Sequence, residues 1–160
     1  MREAIGASWL MVIVLTFIAL FSGYLAFSIN YSKAFKVKDG IIDRIEKHNG
    51  PNSESIADIA EFLTDIGYSS RGSCDQFLGD NNPIYVGVLR DSVTKRPQSG
   101  EYNYCIQKVQ AYNPAGQLSA SYYKVVVFFS LSLPVFDQFT SFNVTGETVN
   151  LYYPDDDWMN

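Results

Sequence analysis

The chain has 160 residues, 47% of them hydrophobic and only 18% charged, with a formal net charge of −5. That length allows a membrane segment and one modest core, but not several domains. The acidic balance, without a basic aromatic strip, argues against a nucleic-acid partner.

The first element is an uncharged run from Ala4 to Ser32. It exceeds the roughly 20 apolar residues that a helix rising 1.5 Å per residue needs to cross a hydrocarbon layer of ~30 Å. A removable secretory signal would carry a shorter apolar stretch. Trp9 at one end, with Tyr24 and Tyr31 at the other, suits the aromatic belts of two headgroup layers. Residues 7–32 are therefore expected to be transmembrane, with the membrane as a partner. The following flank carries Lys33, Lys36, Lys38, Arg44 and Lys47, which by the positive-inside rule favours a cytoplasmic carboxy-terminal part. Against this, residues 51–160 hold 13 acidic and 6 basic residues and both cysteines. That composition reads as extracytoplasmic and is given more weight.

The helical pattern continues outside the membrane through residues 33–50. Phe27, Tyr31, Ala34, Lys38, Ile41 and Ile45 advance by fours and threes and draw one stripe, which Phe35 and Ile42 widen. The opposite side carries Lys33, Lys36, Asp43, Glu46 and Lys47, with Asp43 and Lys47 at ion-pair spacing. Asn49-Gly50-Pro51 closes the helix, with Gly50 suited to the left-handed cap. Gly23 and Gly40 are either soft points or places of close helix approach.

A second helix is expected from Ser53 as N-cap, with Glu54 in the first turn. Ile56, Ile59, Ala60, Leu63 and Ile66 form its apolar face, and Gly67 stops it. After Gly67 the period falls to about two. Segments 84–89, 102–112, 122–133 and 142–153 read as four strands, joined by hairpin loops at 91–100 and 113–116. Tyr123, Val125, Val127, Phe129, Leu131 and Leu133 share the inner face of the third, opposite Tyr122, Lys124, Ser130 and Ser132. The expected fold class is α+β: a long N-terminal helix, a short second helix and a four-stranded antiparallel sheet, the head domain occupying 51–160.

Cys74 and Cys105, in an acidic exterior domain, favour a structural disulfide. Two buried free thiols, or a reactive pair, are the other readings, and no Cys-x-x-Cys spacing supports the last. Asp155-Asp156-Asp157 reads as a solvated acidic tail in preference to a calcium site. Asn143-Val144-Thr145 matches a glycosylation sequon. His48, the only histidine, falls at a helix C-terminus, where an imidazolium complements the dipole. No nucleophile, base and orienting acid stand together, so neither an enzyme, a cofactor nor a metal is expected.

Three features together resemble the type IV pilin superfamily, and within it the TadE-like pseudopilins of tight-adherence pili. They are a short charged start before an apolar helix, the continuation of that helix outside the membrane, and a carboxy-terminal antiparallel sheet. The stretch Tyr123 to Pro134, followed by Phe142 to Thr148, is also similar to the closing strands of that family. The resemblance implies that Met1 to Gly6 is a short leader, cut after Gly6 by a prepilin peptidase to expose Ala7. The family's glutamate at the fifth mature position has no counterpart, because Met11 stands there. It further implies a structural subunit that packs with copies of itself or other pilin-like subunits. The helix-packing residues Phe27, Tyr31, Ala34, Phe35, Ile41, Ile42 and Ile45 need a protein partner, part of which can be the chain's own second helix and sheet, and whatever stays exposed is expected to serve subunit packing. The subunit's place would be the cell membrane, single-pass with the head outside, or a surface filament. The alternative is a single-span membrane-anchored binding module whose Tyr-rich head recognises an extracellular surface by adhesion.

Overall fold

The computed structural model describes residues 2–74, 85–89, 92–95, 100–114, 116–133 and 136–152. Pro97, Pro134, Tyr153 and Asp155 to Trp158 lie outside them. Helix α1 runs without a break from Arg2 to Lys47, and α2 follows at Ser53–Asp65. Five strands come next: β1 (Tyr85–Leu89), β2 (Ser92–Lys95), β3 (Tyr104–Tyr112), β4 (Leu118–Leu133) and β5 (Phe136–Glu147). They form one antiparallel sheet in the order β2-β1-β3-β4-β5. The fold is α+β, as expected, with five strands in place of four.

The caps are set by polar side chains next to the residues expected. Asn49, with a φ of 55°, takes the left-handed position after α1, one residue before the expected Gly50. The Asn49 and Gly50 amides donate to the Glu46 and Ile45 carbonyls, the reciprocal pair that satisfies a helix end. Asn52, not Ser53, caps α2. Its Oδ1 accepts from the Ser55 amide at 2.9 Å, and the Ser55 hydroxyl accepts from the Asn52 amide at 2.9 Å. A side chain must point back over the first turn to reach that amide, and Asn52 alone is outside the helix to do so.

Strand bounds also move. Ser92–Lys95 forms a ladder with Val86–Leu89 inside the stretch expected to be a loop, since Leu89 and its partner Ser92 are only three positions apart in sequence. Tyr102 contributes an isolated bridge to Gly72 in place of the start of a strand. The closing strand begins at Phe136 and ends at Glu147, earlier at both ends than expected. At Thr148 the chain leaves the ladder: its Oγ1 accepts from the Tyr123 amide at 2.9 Å, and Leu151 returns only as a bridge to Ser121.

Both helices lie on one face of the sheet. Val37, Ile41 and Ile45 of α1 and Ile56, Ile59 and Leu63 of α2 meet Val86, Val88, Tyr104, Ile106, Tyr123, Val125 and Val127 in the main core. Each such aliphatic side chain contributes ~1.5–3 kcal/mol when fully buried. The other face of β4 is covered as well. Val126 and Phe128 pack with Cys105, Tyr102 and Cys74 in a second, smaller core.

Candidate interaction surface

The stripe on α1 divides where the sheet stops covering it. Ala34, Ile41 and Ile45 are fully enclosed, and Ile42 nearly so. Their partner is the chain's own sheet and second helix, so these four are internal packing residues and not a free assembly surface. Val37, absent from the expected stripe, is as buried as Ile41. The step of three from Ala34 to Val37 and the step of four from Val37 to Ile41 place it on the same line.

Lys38 is the polar member of the stripe, and its position is resolved by its length. The stem lies over Gly146, where an added Cβ would come within 2.6 Å of Lys38 Cδ and 2.7 Å of Ile42 Cδ1. The ammonium then leaves the core, 2.8 Å from Asp39 Oδ1 and 3.8 Å from the centre of the Phe35 ring.

Phe27, Tyr31 and Phe35 remain exposed and belong to an aromatic cluster with the sheet. Phe27 stands edge-on to Phe129 and Phe142, at centroid distances of 5.9 and 5.7 Å. Tyr31 meets Phe129 at 6.0 Å. Phe129 and Phe142 are register partners across β4 and β5 and stack at 5.3 Å. Sequence reasoning placed Phe129 on an inner face but missed Phe142 as its partner, because register follows from the hairpin and not from either strand alone.

Toward its N-terminus the described side chains of α1 are exposed. Its best 18-residue stretch has a mean hydropathy of 2.4 and none of it is buried, so the helix is long and apolar enough to cross a membrane. Two polar side chains within it bond to the preceding turn: Thr16 Oγ1 donates to the Val12 carbonyl at 2.8 Å and Asn30 Nδ2 to the Ala26 carbonyl at 2.9 Å. Gly23 has no atom within 4 Å of an added Cβ, whereas at Gly40 the Phe62 ring would be only 2.5 Å away. Gly40 is thus a place of close helix approach. The Gly6-Ala7 peptide lies in helical backbone.

The carboxylate of Asp58 ties α2 to the end of α1. It meets Arg44 Nε at 2.9 Å, His48 Nε2 at 3.2 Å and Lys47 Nζ at 3.3 Å. The His48 hydrogen bond, followed by those of Lys47 and Arg44, holds the Asp58 carboxyl below its ordinary pKa. Lys47 therefore turns to Asp58 and not to Asp43, since the tertiary carboxylate offers three cations one site. His48 is used here as a structural partner.

Cys74 and Cys105 form the expected disulfide, with Cα atoms 5.9 Å apart and both residues buried. It fastens the segment after α2 to the face of the sheet opposite the helices. The Tyr68 hydroxyl donates to the Phe128 carbonyl along the same path, and burial pushes its pKa up to about 12. Beside it a cleft of about 240 Å³ is lined by Leu63, Thr64, Tyr68, Ser69, Arg71 and Asn103. No group of three or more His, Cys, Asp or Glu converges on a metal-sized site among the described residues.

The tyrosines of the head are divided between core and surface, with Tyr68 and Tyr122 half-buried. Tyr104, Tyr123 and Tyr102 are buried, while Tyr112 and Tyr152 are exposed. Asn143 and Thr145 point outward around a buried Val144, the alternation of an edge strand. Comparison with family models, curated proteins and solved structures finds no match.

Proposed function

We propose that this chain is a structural, pilin-like subunit that assembles through the apolar half of α1, resembling the TadE-like pseudopilins. One observation carries this reading: a single unbroken helix is clamped to a sheet along its outer half, while the most apolar 18-residue stretch of its other half is left unburied by the described residues. Such a helix can be stored in lipid and later packed against others, exchanging lipid contact for helix contact without any active site. Ala19, Ser22, Gly23 and Ala26 supply small residues at spacings of four, and the open space at Gly23 suits close approach. The reading places one span in the cell membrane and the head outside, where the buried disulfide fits an oxidising compartment. The burial of three tyrosines favours this over a binding module with a Tyr-rich face.

Mass spectrometry of the native protein tests the processing step, with an N-terminal Ala7 expected. Electron microscopy of sheared surface material tests the assembly, with filaments that antibody to this chain decorates. An intact Met1, together with surface material lacking such filaments, would overturn the reading.

A further inference from the structure

The aromatic cluster sits where α1 passes from uncharged sequence to Lys33, Lys36 and Lys38. We infer that Phe27, Tyr31, Phe35, Phe129 and Phe142 form a collar that rests in the headgroup layer of a bilayer, seating the head domain on the lipid surface. The inference rests on α1 spanning the membrane, and it is independent of filament assembly.

Exposure is the first support. Phe27, Tyr31, Phe35 and Phe142 are 36, 45, 43 and 38% exposed, although they surround a Phe129 that is only 4% exposed. A contiguous aromatic patch of this kind is disfavoured in water and asks for a covering phase. Continuity is the second. Whatever surrounds the bare apolar half of α1 extends along the same helix to Phe27. Counting back ~20 residues from Phe27 covers the ~30 Å of a hydrocarbon layer and places the ring at its boundary. Aromatic rings, apolar in body and polarisable at the edge, concentrate at that boundary. Lys33 and Lys36, both exposed within three turns of Phe27, have stems long enough to reach lipid phosphates.

The direction of the β4–β5 hairpin is the third. Gly146 of β5 lies against Lys38 and Ile42, and Phe142 lies against Phe27. Moving from Gly146 to Phe142 thus descends α1 toward its apolar half. The ladder runs on in that direction through Ser130 with Ser141, Leu131 with Thr140 and Leu133 with Phe136.

The test uses the full chain in lipid nanodiscs containing one copy each. Nitroxide labels are placed on Phe142→Cys and, separately, on Tyr31→Cys, since the native cysteines are bonded to each other. Collision rates with oxygen and with a water-soluble nickel chelate report depth. Phe17→Cys marks the hydrocarbon, and Tyr112→Cys marks the aqueous end of the head. Labels at both collar sites are expected to meet the nickel chelate severalfold less often than the label at position 112, and oxygen less often than the label at position 17. Nickel collisions equal to those at position 112 would overturn the inference. Protection that appears only in discs holding two or more copies would also overturn it, and would assign the collar to a second copy of this chain. An aqueous signal at position 17 would instead remove the membrane span on which the collar depends.

Discussion

Asp58 Oδ1 accepts a 2.9 Å hydrogen bond from Arg44 Nε, so the second helix supplies the counter-charge for the cationic end of the first. Arg44 is held from two further sides. Its Nη1 donates to the Gly40 carbonyl at 2.9 Å, and its guanidinium carbon lies 3.9 Å from the centre of the Phe62 ring.

This arrangement sets an acid limit on the head. The folded pKa of Asp58 is depressed, so the stability it contributes is present above the ordinary carboxylate value of about 4 and is lost as pH falls through the folded value. Urea midpoints in detergent should fall below about pH 4 in the native chain. Asp58→Asn should lower the neutral-pH midpoint and flatten the acid part of the curve. An unchanged acid slope in that variant would assign the limit to other carboxylates.

Tyr104 is fully buried and its hydroxyl has no hydrogen-bond partner among the described residues. An unpaired buried hydroxyl costs about 1–3 kcal/mol. Tyr104→Phe removes that penalty with little change of shape, and should raise the unfolding free energy by ~1 kcal/mol. Burial also raises the Tyr104 phenol well above its ordinary value. A raised folded pKa gives stability that is complete below about pH 10 and declines above it. The alkaline unfolding limit should therefore lie higher in Tyr104→Phe, as read by circular dichroism.

The disulfide spans a sequence separation of 31. Closing such a loop restricts the unfolded chain by roughly 3–4 kcal/mol. Replacing Cys74 and Cys105 by Ser should lower the thermal midpoint. It should also release the cover over Val126 and Phe128, so proteolysis should cut first between Tyr68 and Cys105 while α1 and α2 stay on the sheet. Cleavage starting within α2 would contradict that order of events.

The main core was readable because Ile41, Ile45, Ile56, Ile59 and Leu63 repeat at helical spacing, and Tyr123, Val125 and Val127 at strand spacing. The second core had a signal too. Val125 to Phe129 is an unbroken apolar run, which marks a strand covered on both faces and hides the period of two. Partners distant in sequence were not readable. Asp58 reaches Arg44, and Phe142 reaches Phe27, only after the helices and the hairpin have docked. Each cap lies one residue earlier than expected because Asn49 and Asn52 compete for the same roles as Gly50 and Ser53.

Gly40 measures how tightly the two helices meet. Alanine there gains ~1 kcal/mol of helix propensity but forces the Phe62 ring aside, a cost of about 1–3 kcal/mol. With an added Cβ only 2.5 Å from the ring and Arg44 lying over it, the cost should win. Gly40→Ala is expected to lower the thermal midpoint in detergent, and Phe62→Leu in the same chain should restore part of it.

Gly23 gives the opposite case, because an added Cβ there meets nothing in its own chain. Gly23→Leu should leave the unfolding free energy of the isolated subunit within ~0.5 kcal/mol of the native value. In vesicles holding several copies, energy transfer between donor- and acceptor-labelled chains should nevertheless fall, since a large side chain keeps helix backbones apart. The filament yield should fall with it. Ala19→Leu, one turn away on the same face, should act alike. If transfer is unchanged in Gly23→Leu and Ala19→Leu, subunits do not meet through this face, and the assembly reading loses its helix contact.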